Sequence, residues 1–149
     1  MKTIGVMICL VLMILMCSCG SSAVSTVSVT FYWYDELPFD YDDFNLMSSA
    51  EVELPADHLN AEFIRLIKEY SGISIDGIWY EGKRLCADLA EEEARSFNMG
   101  SATGITRSNV LIATLSTMPD VEEIEILING QRGCFADHYN FDRIFEKVI

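Results

Sequence analysis

The sequence predicts an α+β protein: a compact single domain in β-α-β-β-α-β order, with a mixed sheet and its helices packed on one face. Three observations lead there. Val27–Tyr34 alternates apolar and polar residues with period two, as does Val121–Ile128. Between them, Leu59, Phe63, Leu66, Ile67 and Tyr70 recur with helical spacing. Asn129-Gly130, directly after the second alternating run, is a strong hairpin signal.

Composition bounds what such a domain can do. The chain has 149 residues, with 23 Asp plus Glu against 10 Lys plus Arg, a formal net charge of −13. That charge disfavours nucleic acid, whose phosphates require a cationic footprint, and disfavours docking of the folded surface on anionic lipid. Half the residues are hydrophobic, which excludes bulk disorder and is enough for one core.

The N-terminus reads as a leader. The apolar run Ile4–Met16 follows Lys2 and is shorter than the about 20 residues a spanning helix needs, as in a signal peptide. Met16-Cys17-Ser18-Cys19-Gly20 follows it. This resembles a bacterial lipobox, in which a cysteine behind small residues is lipidated and becomes the mature N-terminus. Cys19 is the better lipidation candidate, since Ser18 supplies the small preceding residue and Cys17 would place Met16 there. The expected organisation is a lipoprotein signal peptide over 1–18, a flexible Gly/Ser/Ala/Thr tether over 19–26 and a folded domain over 27–149. The alternatives are an uncleaved short anchor and a signal peptide without lipid.

Val27–Tyr34 is the first strand, with Val27, Val29, Phe31 and Trp33 on one face. Tyr32 and Tyr34 on the other face are either a recognition surface or covered by a helix. Residues 35–57 carry Asp35, Glu36, Asp40, Asp42, Asp43, Glu51, Glu53 and Asp57 with no Lys or Arg, and read as a solvated loop. The EF-hand pattern is absent from Asp40-Tyr41-Asp42-Asp43. Asp57 is placed to cap the first helix, which Gly72 closes. Ile73–Tyr80 and Leu85–Leu89 form a hairpin around Glu81-Gly82-Lys83, with Asp88 opposite the Leu85, Ala87 and Leu89 face.

Ala90–Phe97 reads as a short helix or the start of a long connection, which Gly100 and Gly104 interrupt as loop. Thr106–Met118 is the second long helix, apolar nearly all round, and Pro119 ends it. Val121–Ile128 places Ile124, Ile126 and Ile128 inward and Glu123 and Glu125 outward. Gln131–Phe135 reads as the returning strand. Phe141, Ile144, Phe145, Val148 and Ile149 suit a short terminal helix.

The sequence supports no catalytic constellation. His58 falls in a helix's first turn, and Asp137-His138 are neighbours whose side chains diverge in an extended stretch. No Ser stands in a G-x-S-x-G elbow. Cys86 and Cys134 lack CxxC spacing, so they form either one disulfide or two free thiols. No cofactor-binding residue, metal ligand or catalytic residue is assigned, and the chain is expected not to be an enzyme.

Leu85-Cys86-Ala87-Asp88-Leu89, then Val110–Leu115, Pro119, Val121, Ile124, Ile126, Ile128 and Asn129-Gly130 together resemble the GerMN family of sporulation and spore germination. Val27–Trp33 and Ala61–Leu66 extend the likeness over most of 27–133. Two features depart from it: there is room for one such domain where the family's namesake has a tandem, and Ser71-Gly72 stands where the family has Gly-Pro. The resemblance implies a compact α/β domain, similar to the ring-building folds of sporulation channel proteins, with no known active site. Leader and likeness together lead to an extracytoplasmic interaction domain, lipid-anchored to the cell membrane, with other envelope proteins as partners and no nucleic acid. The alternative is an envelope lipoprotein that binds a small ligand, glycan or divalent cation through the acidic 35–57 loop.

Overall fold

The computed structural model describes residues 25–36, 44–97, 101–136 and 139–149. The leader, Cys19, Asp40, Asp42, Asp43, Asp137 and His138 lie outside the described residues. The fold is α+β with a mixed sheet.

Strand β1 (Thr26–Trp33) pairs antiparallel with β2 (Ser48–Pro55), in register from Thr26↔Pro55 to Trp33↔Ser48. The second half of the expected acidic loop is therefore a strand. Its period-two signal is Ala50, Val52 and Leu54 alternating with Ser49, Glu51 and Glu53, and the acids mark its solvent face. A 3-10 turn (Ala56–His58) then leads into α1 (Leu59–Ser71). Asp57 does not cap α1: the N-cap position is His58, without a side-chain cap, and the Asp57 carboxylate instead lies 3.5 Å from His58 Nε2. Gly72 does end the helix, at φ 68°, with its N–H on the Lys68 carbonyl. This is a left-handed conformation that glycine adopts without steric cost.

The main sheet contains β3 (Ile75–Glu81), β4 (Arg84–Leu89), β5 (Glu123–Ile128) and β8 (Ile144–Glu146), in the order β3-β4-β5-β8. The β3–β4 hairpin turns on Gly82-Lys83, β4 runs parallel to β5, and β5 runs antiparallel to β8. Leu85, Ala87, Leu89, Ile124 and Ile126 are buried in the core that the helices cover, while Asp88 and Glu125 lie on the other face.

Between β4 and β5 run α2 (Glu91–Ser96) and α3 (Ser101–Ser116). Gly104 does not interrupt the chain as loop. It is buried inside α3, where tertiary packing outweighs the about 1 kcal/mol that glycine costs relative to alanine. Every residue from 108 to 116 is buried, as expected of a helix that is apolar all round.

Asn129 and Gly130 both have positive φ (51° and 73°), and Ile128 and Gln131 exchange both backbone hydrogen bonds across them. The expected returning strand stops at that one bridge, because the adjacent edge of β5 is taken by β8. Short strands β6 (Phe135–Ala136) and β7 (Tyr139–Asn140) pair with each other instead. The tail is thus two short strands where a terminal helix was expected. An unpaired β5 edge would leave buried backbone groups without partners, and the extended tail satisfies them while still burying Phe141 and Phe145. Among the described residues, no helix is long and apolar enough to cross a membrane.

Candidate functional site

The end of β1, the end of α1 and the first half of α3 enclose a cleft of about 350 Å³. Its aromatic wall follows from the β1 alternation, which puts Phe31 and Trp33 on one face, Phe31 buried in the core and Trp33 half-buried at the rim where the strand ends. The Tyr70 ring stacks between them, 5.2 Å from Phe31 and 5.5 Å from Trp33. Tyr34, Asp35 and Glu36 continue the rim, and Thr106 and Arg107 form the opposite wall. Asp35 accepts hydrogen bonds from the Ser48 hydroxyl and from Trp33 Nε1 (3.0 Å), which hold its carboxyl below the usual range. The Arg107 guanidinium pairs with Glu93, donates to the Gly72 carbonyl at 3.2 Å and lies over the Phe97 ring at 5.4 Å, while its buried Nε has no hydrogen-bond partner among the described residues.

The other described acids of 35–57 do not gather into a ligand set. Glu51 accepts from the Ser28 hydroxyl, Glu53 is exposed on β2, and Asp57 faces His58. Among the described residues, the group of three potential metal ligands is Glu81, Cys86 and Glu125, on the outer face of the main sheet. Sequence spacing could not have found it, because β3, β4 and β5 each contribute one member. Guanidinium groups already occupy its carboxylates. Arg84 contacts Glu123 at 2.9 Å and Glu125 at 3.4 Å, and Arg132 contacts Glu81 and, at 3.5 Å, Glu125. Burial pushes the Cys86 thiol up, and the nearby Glu81 and Glu125 charges act in the same direction. The thiol thus stays protonated at neutral pH, in the form that is a poor ligand and a poor nucleophile. Cys86 and Cys134 are both free, with Cys86 buried and Cys134 half-buried.

One edge of the main sheet is β3, which pairs with β4 and, among the described residues, with no other strand, while Asn60 of α1 donates to its Ile78 carbonyl at 3.3 Å. Trp79 and Tyr80 are each 36% exposed there. Trp79 Nε1 donates to Glu81 at 3.3 Å, and the Tyr80 hydroxyl donates to the Pro119 carbonyl at 2.9 Å. The aromatic residues of β1 are less available. Tyr32 and Tyr34 are half-buried, and the Tyr32 N–H donates to the Thr114 hydroxyl of α3.

No family model and no curated protein matches the sequence. Two solved structures are similar in fold. A candidate lipoprotein from Clostridium perfringens has 14% identity and a TM-score of 0.48, covering 84% of this chain and 90% of that one. The tandem GerMN domains of the sporulation protein GerM from Bacillus subtilis have 14% identity and a TM-score of 0.42, covering 71% of this chain. This chain spans 39% of the length of the GerM chain. Both likenesses are in fold alone and assign neither family nor function.

Proposed function

We propose that the chain is a non-enzymatic interaction domain of the bacterial cell envelope, held outside the cell by lipid on Cys19. Its expected setting is a sporulation or germination assembly, as a single GerMN-like domain. The observation that carries the contact surface is the β3 edge. It combines a strand border with no second strand beside it among the described residues, where the Asn60 side chain of α1 takes the Ile78 carbonyl, with two exposed aromatic residues. Free strand edges accept an added strand through backbone hydrogen bonds, and Trp and Tyr are enriched where binding energy concentrates.

The polar groups of the outer sheet face support the non-enzymatic reading. They are spent on ion pairs between strands, with a protonated thiol among them. The tether supports a short standoff. Ser25 accepts the Ala56 N–H at 2.8 Å, so the folded unit holds the chain from there on. Residues 20–24 then limit the reach from Cys19 to Ser25 to at most ~22 Å.

Intact-mass measurement on membrane-extracted protein tests the anchor. The expected species begins at Cys19 and carries diacylglycerol, and a cytosolic chain that retains residues 1–18 would overturn it. Capture of envelope partners by wild type and by Trp79→Ser tests the surface. Partners lost with Trp79→Ser support it, and an identical set from both proteins overturns the β3 assignment.

A further inference from the structure

We propose that the open edge of β2 binds an extended polypeptide segment of a partner protein, with Lys or Arg at alternate positions. The backbone directions at this edge follow from β1. The Thr30 and Tyr32 N–H groups point away from β2, onto the Thr117 and Thr114 hydroxyls, and the Thr30 carbonyl accepts from the Thr117 hydroxyl. The β1–β2 register is unbroken and sets Ser49 opposite Tyr32, Glu51 opposite Thr30 and Glu53 opposite Ser28. In an antiparallel pair, residues opposite such outward-turned groups turn their own N–H and C=O outward as well. Ser49, Glu51 and Glu53 therefore present a row of backbone donors and acceptors, and no strand among the described residues pairs with it. A row of this kind is a template for strand addition. β2 also runs without the register shift that β3 has between Ile75 and Gly77.

Charge selects the occupant. The sequence holds no Lys or Arg from Cys19 to Ile64, so β1, β2 and their connection have no cation of their own. Glu51 and Glu53 are exposed and have no ion-pair partner among the described residues. On the main sheet, by contrast, Glu81, Glu123 and Glu125 each meet an arginine. An added strand sets its residues directly beside the β2 carboxylates, where opposite charges stabilise and like charges destabilise. A second copy of this chain is disfavoured on that ground, because β2 paired antiparallel with itself about Glu51 brings the two Glu51 carboxylates together. On the other face of β2, Ala50 and Val52 are half-buried and Leu54 is buried. The intervening side chains of the added strand extend that apolar face, so a segment alternating cationic and apolar residues matches both faces.

This edge belongs to a different sheet from β3. The test uses the full chain in maltoside detergent at low salt, titrated calorimetrically with a short synthetic peptide that alternates lysine and valine. Saturable binding is expected, with a Kd on the order of 0.1 mM. Glutamate in place of lysine should weaken it at least about tenfold. N-methylation at the lysines removes the backbone donors that face β2 and keeps every charge, and should cost about tenfold. N-methylation at the valines alters the far edge and should leave binding near that of the parent peptide. Amide exchange should show new protection at Ser49, Glu51 and Glu53 in the complex. In a variant carrying both Glu51→Lys and Glu53→Lys, two exposed positions outside the core, the glutamate peptide should become the tighter ligand. Trp79→Ser on β3 should leave the affinity unchanged, so that failure of one edge does not count against the other. The proposal is overturned by no saturable binding of the lysine peptide, by full affinity of the peptide N-methylated at lysine, by unchanged exchange at the three amides, by an unchanged charge preference in the double variant, or by loss of binding in Trp79→Ser.

Discussion

Two residues on the main sheet show how position decides what a polar group contributes. Glu125 and Glu123 both contact Arg84, but their side chains are 14% and 47% exposed. Glu125 also meets Arg132, so Glu125→Ala leaves two partly covered guanidinium groups short of a partner. We expect a loss of about 1–2 kcal/mol for Glu125→Ala and no more than about 0.5 kcal/mol for Glu123→Ala, measured by urea unfolding. Equal losses would refute the ranking. Tyr80 provides a pH signature. Burial, with the Asp120 charge adding to it, pushes its phenol up to about 12. An unfolded tyrosine ionises near pH 10, so between those values the unfolded chain gives up this proton first. The stabilisation is therefore complete below pH 10 and is lost as pH rises toward 12. Tyr80→Phe should flatten that part of the stability profile. A slope that persists unchanged in the variant would assign it to another group.

At the scale of elements, β1 is held from both sides in different ways. One edge has a strand partner in β2. The other edge meets α3 and the turn after it, where the Thr114 hydroxyl accepts the Tyr32 N–H and the Thr117 hydroxyl accepts the Thr30 N–H, both at 3.1 Å. A helix here supplies hydroxyls where a third strand would supply carbonyls, which closes an edge that would otherwise be open to pairing with another chain. Thr114 is fully buried. Thr114→Val keeps the shape and removes the acceptor, so we expect a loss of about 1–3 kcal/mol. Thr114→Ser should retain the bond and most of the stability. Amide exchange at Tyr32 reads the same contact, and unchanged protection in Thr114→Val would remove the hydroxyl from the account. The C-terminal strand β8 closes β5 in the ordinary way, by backbone pairing. Among the described residues β3 and β8 are the two edges of the main sheet, each with one strand neighbour, and β3 is the edge that carries the exposed Trp79 and Tyr80.

At the scale of the molecule, a net charge of −13 sets the response to salt. Repulsion among like charges spread over the domain acts at long range, whereas the ion pairs on the sheet are in contact. Raising ionic strength from ~0.01 M to ~0.15 M shortens the screening length from about 30 Å to about 8 Å. This relieves the repulsion more than it weakens the pairs, and a Tm increase of ~3–5 °C is expected. A decrease in Tm would show that the contact pairs dominate. Much of the architecture was legible in local chemistry. Period two marked β1 and β5, helical spacing marked α1, and the positive φ values at Gly72 and Asn129-Gly130 fall where glycine and asparagine tolerate them. These features depend on neighbours a few residues apart, so one stretch of chain contains the whole signal. The misreadings share one cause: at Ser48–Pro55, at Gly104 and in the tail, a distant partner decided the conformation. β1 made a strand of an acidic stretch, a surrounding core kept a glycine helical, and an unpaired β5 edge drew the tail into extended form. The cleft belongs to the same category. Trp33, Asp35, Tyr70 and Arg107 come from β1, its following turn, α1 and α3, and no spacing along the chain encodes their meeting. The amino-acid order by itself determined the periodicities, the turns and the charge. Packing between distant segments decided which edges were closed and which side chains met, because such contacts gain their free energy only once the core has brought the segments together.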